Sequence, residues 1–67
     1  MRKLTDHQQA ILEEVLKSRE DYGISKEEAV KRFYDNEDLW PSEEEIKDPR
    51  FLSSPAYCAY LILAWGE

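Results

Sequence analysis

Hydrophobic and polar positions repeat at helical spacing from the start of this chain. Ile11, Leu12, Val15, Leu16 and Tyr22 fall within one stripe, while Glu13, Glu14, Lys17, Glu20 and Asp21 lie opposite. Thr5 and Gln8 have the spacing of a capping box in front of that stripe. Gly23 can take the left-handed conformation beyond its last turn, with Ile24 folding back onto it. The pattern predicts a helix over about 6–22. A second box, Ser25 with Glu28, opens a helix over about 26–35 with Ala29, Val30, Phe33 and Tyr34 on one face. Glu27/Lys31 and Glu28/Arg32 are spaced as ion pairs on the other face.

The periodicity breaks through Asn36-Glu37-Asp38-Leu39-Trp40-Pro41, where Asn and Asp favour turns and Pro41 disfavours helix at Trp40. Leu39 and Trp40 are expected to plug the core from this loop. Ser42 and Glu45 form a third box and open a short helix over about 43–47, which Pro49 must end. Arg50-Phe51-Leu52-Ser53 reads as a connector whose Phe51 and Leu52 pack beneath the last helix.

That last helix, over about 55–65, breaks the pattern of the others. PAYCAYLILAW carries no charge and no polar stripe: Cys58, Ala59, Ile62 and Leu63 occupy one side, Leu61 and Trp65 the next, and Tyr57, Tyr60 and Ala64 complete the circle. A helix apolar all round is normally buried, so this one is expected at the centre with everything else covering it. Ser54 is its cap, Pro55 suits its first position, and Gly66 stands where it would be released. The expected fold is all-α: a single helical domain over 1–67 with three main helices, one short helix, and the C-terminal helix central. No strand pattern or repeat is present.

Composition narrows the class. At 67 residues the chain buries only about 60% of its unfolded surface, so its stability is modest. Hydrophobic residues at 42% are too many for a disordered chain, even with charged residues at 36%. One cysteine, Cys58, sits in the most apolar stretch and points to packing in a reducing compartment. Met1-Arg2-Lys3 leads into polar residues with no apolar signal core, and the C-terminal apolar run falls well short of the ~20 residues that span a bilayer. A cytoplasmic protein with no membrane partner is expected.

Chemistry is excluded more firmly than it is indicated. Two glycines, Gly23 and Gly66, cannot build a phosphate-cradling loop, and one histidine with one cysteine cannot supply a zinc quartet. His7, in the first turn of the first helix, reads as exposed and incidental. Asp35-Asn36-Glu37-Asp38 resembles the opening of a calcium loop, but Trp40 stands at the glycine position and Ile46 at the closing carboxylate. Ser53, Ser54 and Cys58 have no base at a readable spacing. No catalytic, cofactor-binding or metal-ligating residue is assigned, and no enzyme is expected.

Charge supplies the one positive signal. Residues 35–48 hold seven acids, Asp35, Glu37, Asp38, Glu43, Glu44, Glu45 and Asp48, against Lys47. Their net charge equals the −6 of the whole chain, so the remaining residues balance. Acids in a first helical turn meet the helix dipole favourably, which accounts for Glu43 to Glu45 without a partner. A single-sign surface also attracts an opposite one. Direct nucleic-acid binding is disfavoured, because Lys26, Lys31 and Arg32 are interleaved with acids. Arg19, on the apolar side of the first helix, suits a snorkelling side chain or an ion pair with the acidic segment. The leading expectation is a non-enzymatic module that docks residues 35–48, with Trp40, Tyr57 and Tyr60, on a basic protein such as a nucleic-acid-handling enzyme. In size and charge it resembles the small acidic phage proteins that inhibit host defence or transcription enzymes. The alternative is a self-associating subunit, a homodimer included, held by aromatic contacts that survive high salt.

Overall fold

Each α-helix begins behind a hydroxyl. In the computed structural model, which describes residues 3–65, the backbone N–H groups of Gln8, Glu28, Glu45 and Tyr57 donate at 3.2 Å to the side-chain oxygens of Thr5, Ser25, Ser42 and Ser54. These caps open α1 (Asp6–Ser18), α2 (Lys26–Asp35), α3 (Glu43–Lys47) and α4 (Pro55–Trp65). A side-chain cap satisfies one of the donors that the first helical turn leaves over, so polar residues at these positions fix where the chain turns. The boxes at Thr5/Gln8 and Ser42/Glu45 are complete, with Gln8 and Glu45 accepting in return from the cap backbone. Ser25/Glu28 forms only half a box, because the Glu28 carboxylate lies at 3.4 Å from Arg32 Nε instead. Of the two ion pairs expected on α2, that is the one formed.

The first helix differs from its expected form in its last turn. It tightens into a 3-10 turn over Arg19–Tyr22 before Gly23 takes φ +66°. Gly23 N–H then donates to Glu20 O and Ile24 N–H to Arg19 O, both at 3.1 Å, the paired closure that left-handed glycine permits. A 3-10 turn advances further per residue than an α-turn, which carries Tyr22 off the apolar stripe and leaves it exposed.

The fully buried core comprises Ile11 and Val15 of α1, Ala29 and Phe33 of α2, and Cys58, Ala59, Ile62 and Leu63 of α4. Leu4, Leu12, Leu16, Ile24, Leu39 and Trp40 pack around it. Among the described residues there is no strand, and α4 is the hub: it meets α1 most extensively and also touches α2 and both 3-10 turns. Arg32 fastens the C-terminal end of α4 by donating from Nη1 to Leu63 O at 2.8 Å. A guanidinium on a late carbonyl also meets the negative end of the helix dipole. Gly66, the expected release point, lies outside the described residues.

Two expectations about coverage fail. α4 is apolar all round yet buried on one side only; Ala56, Tyr57, Tyr60, Ala64 and Trp65 remain exposed. Leu52 is exposed as well, because the connector makes local turns, Phe51 N–H to Asp48 O and Ser53 N–H to Phe51 O at 3.0 Å, instead of closing over the core. Leu39 and Trp40 do plug the core from their loop.

Leu63→Ala is expected to cost about 2–5 kcal/mol, since it removes a side chain that is fully enclosed. Tyr60→Ala, on the open side of the same helix, should change stability by less than about 1 kcal/mol. Thermal melts followed by circular dichroism separate the two, and similar melting for both would contradict the sidedness of α4.

Candidate docking surface

Two neighbouring features make up the candidate surface. The first is the open side of α4. At about 100° per residue the buried residues Cys58, Ile62, Ala59 and Leu63 cover roughly 140° of the helix. Ala56, Tyr60, Ala64 and Tyr57 fill the opposite arc, and Trp65 projects at the C-terminal end. Trp65 is 70% exposed, Tyr60 50% and Tyr57 40%. Solvent therefore meets a helical face with no charged side chain in a chain whose other helices all carry charge on their open faces. Tyrosine and tryptophan combine large apolar area with one polar atom, which suits a surface that is wet when free and dry when bound.

The second feature is the acidic segment, which the fold divides in two. Asp35 ends α2, and Glu37 and Asp38 lie in the 3-10 turn Glu37–Leu39. This inner part is held firmly. Trp40 stacks on the buried ring of Phe33 at 4.4 Å between centroids, and its Nε1–H donates to Phe33 O at 3.0 Å. The Asn36 side chain and backbone N–H both donate to Arg32 O, at 2.8 and 3.1 Å. Because Arg32 also holds Leu63 O, the acidic loop sets out from beside the C-terminal end of α4, and its 3-10 turn touches α4. The outer part is α3, whose first turn carries Glu43, Glu44 and Glu45 in solvent. Asp48 follows it, half-buried, 3.6 Å from Arg50 and accepting the Arg50 N–H at 2.9 Å.

The sequence-predicted residues thus separate by role. Asp35, Glu37, Asp38, Glu43, Glu44, Glu45, Tyr57 and Tyr60 are exposed. Trp40 is committed to the interior through Phe33 and serves to anchor the acidic loop. Trp65 and Leu52 are the most exposed large apolar residues; a contact through Trp65 beside Tyr57 and Tyr60 was open from the sequence, whereas Leu52 was expected beneath the last helix. Nothing in the helical spacing sets Trp65 apart, since its angular position adjoins the buried side.

His7 sits differently from expectation, and of the two roles open to Arg19 the ion pair with the acidic segment is not formed. His7 is half-buried on the same stripe as Leu4 and Ile11, and its Nε2 is enclosed without a hydrogen-bond partner. Arg19 meets Glu20 at 3.5 Å and not the acidic segment, with its Nε also enclosed and unpartnered. Cys58 is 1% exposed, and burial pushes its thiol pKa up by disfavouring the thiolate. Among the described residues no cluster of His, Cys, Asp and Glu could hold a metal ion, and no helix is long and apolar enough to cross a membrane.

Compared with protein-family models, with curated proteins and with solved structures, the chain matches none. The reading of the surface therefore rests on its own geometry.

The enclosed thiol gives a prediction with a definite sign. Its raised pKa means that the folded state keeps the proton longer than the unfolded chain does. The Cys58 contribution is then intact below the unfolded thiol pKa of about 8.5 and is lost as pH rises through the folded value. Denaturation midpoints of the parent should fall more steeply above that pH than those of Cys58→Ala. Below it, an aromatic disulfide reagent should react with Cys58 only in denaturant. Rapid reaction under native conditions would place the thiol at the surface.

Proposed function

We propose that this protein is a non-enzymatic interaction module whose principal contact is the open face of α4. The observation that carries the reading is that face itself: a well-capped helix, half enclosed, presents Tyr57, Tyr60 and Trp65 to solvent with no charged residue among them. Leaving that much aromatic surface wet costs free energy that a charged or small polar side chain would avoid, and aromatic residues dominate binding at protein interfaces. The acidic segment supplies the second component. Carboxylates at the edge of an apolar contact raise the rate of association with a basic partner and reject acidic ones. The basic groove of a nucleic-acid-handling enzyme is one surface of that chemistry. Glu43, Glu44 and Glu45, exposed on α3, act in this reading as steering charges and Asp48 as a lesser one, since Arg50 already faces it.

Self-association is the second reading, favoured by the position of Tyr60 at the middle of the uncharged face. It predicts a dimer that persists in high salt, where the Debye length shrinks from about 10 Å at 0.1 M to about 3 Å at 1 M.

The test compares variants of one immobilised protein. Tyr60→Gln with Trp65→Gln should reduce recovery of the bound partner by at least about tenfold, as expected for aromatic hot spots, with melting unchanged. Replacing Glu43, Glu44 and Glu45 by lysine should slow capture and lessen its salt dependence. Equal recovery with all variants, quantified by mass spectrometry, would reject the reading.

A further inference from the structure

We infer that the open face of α4 receives a second copy of this chain, in an antiparallel two-fold pair that seats Tyr57 of each copy over Ala64 of the other. The inference rests on α4 as the principal contact and commits to one occupant of it. Spacing, shape and area carry it.

The open face has the spacing of a helix-to-helix seam. Tyr57, Tyr60, Leu61 and Ala64 stand at i, i+3, i+4 and i+7, the set with which an amphipathic helix meets its neighbour. At about 100° per residue Tyr57 and Ala64 point away from the centre of the enclosed side, and Tyr60 and Leu61 flank them, one on each side. Tyr57, Tyr60 and Ala64 are exposed and Leu61 is half-buried, so the seam is largely uncovered.

The seam is complementary to itself. Tyr57 and Ala64 are equally far from the midpoint between Tyr60 and Leu61, and one is a large ring where the other is a methyl group. A two-fold pair brings the same patch of both copies together. With the helices antiparallel, each Tyr57 ring meets the recess at Ala64 of the other copy, and Tyr60 meets its counterpart near the axis. Parallel pairing would set ring on ring at one end and leave a gap between two alanines at the other. Antiparallel pairing also places the positive start of each helix beside the negative end of its mate.

Charge does not oppose the contact itself, because the seam contains no charged side chain to desolvate. The repulsion between two chains of net charge −6 acts at longer range and is screened by salt. Area sets the strength. Trp65, Tyr60 and Tyr57, with Ala56, Leu61 and Ala64, offer on the order of 500 Å² per copy. The pair then buries about 1,000 Å² in total, enough for a specific interface of good fit but short of the ~1,600 Å² of a stable one. A reversible dimer with a dissociation constant in the micromolar range follows.

The test is sedimentation equilibrium of the full chain from about 1 μM to about 1 mM. The parent should pass from monomer to dimer across that range, with its midpoint held or lowered at 1 M salt, where the Debye length is about 3 Å. Tyr57→Ala removes the ring and Ala64→Tyr fills the recess. Each alone should raise the dissociation constant at least about tenfold, with circular-dichroism melting little changed because both positions are exposed. An equimolar mixture of the two variants sets a large residue against a small one at both ends, and should regain the parental affinity within about threefold. Mild oxidation of Tyr57→Cys mixed with Ala64→Cys reads the orientation. Antiparallel pairing keeps the two copies of position 64 about 10 Å apart along the axis, so the link between positions 57 and 64 should form in preference to one between the two positions 64.

A monomer throughout the range, a dimer indifferent to Tyr57→Ala and Ala64→Tyr, a mixture no tighter than either variant, or a predominant link between the two positions 64 overturns the inference. The wider reading is tested separately. A monomeric parent whose recovery of a partner still depends on Tyr60 and Trp65 rejects the second copy and retains α4 as the contact, whereas a monomer with no such dependence rejects both.

Discussion

Everything in this structure depends on one helix being enclosed from one side. α4 contributes Cys58, Ala59, Ile62 and Leu63 to a core that α1 and α2 complete with Ile11, Val15, Ala29 and Phe33. No other element carries enough uncharged surface to replace it. Among the described residues its main cover comes from α1, α2 and two short 3-10 turns, and that cover encloses one side of it. The open face follows from that limit on cover, and the side left open is the one that carries the Tyr57 and Tyr60 hydroxyls.

The same limit explains what could be read from the sequence and what could not. Helix starts were legible because each is a local transaction between a hydroxyl and an N–H three residues on. Thr5, Ser25, Ser42 and Ser54 announce themselves without tertiary information. The stop at Gly23 was legible for the same reason, although the tightening of the turn before it was not. Periodicity placed the buried faces of α1 and α2, where charge marks the opposite side. On α4 no charge marks a side, but the hydroxyls of Tyr57 and Tyr60 favour water over the core, and Ile62 and Leu63 are the enclosed residues as their aliphatic character suggests. The fate of Leu52 was hidden too, since it depends on how the turns of the connector aim the backbone. His7 could have been placed better: it shares the spacing of Leu4 and Ile11, and that pattern outweighs its polar character.

Anchoring links the fold to the surface. Trp40 was expected both as a core plug and as a contact, and its stacking on Phe33 with a hydrogen bond to Phe33 O commits it to the first role. That commitment gives the acidic loop a fixed root. Arg32 does the same for α4 by joining the end of α2 to Leu63 O, an interaction that sequence spacing suggests only as an ion pair with Glu28. Through these two side chains the inner acids are held beside the end of an uncharged helix, a juxtaposition that neither the charge count nor the hydrophobic pattern reveals by itself.

The central claim is that α4 has an enclosed side and an open side in the free protein. Paramagnetic relaxation by a soluble, uncharged gadolinium chelate measures this directly, residue by residue, through the side-chain protons of one helix. The account predicts strong relaxation at Tyr57, Tyr60, Ala64 and Trp65 and almost none at Cys58, Ala59, Ile62 and Leu63 in dilute protein. Uniform protection around the whole helix under those conditions would contradict it.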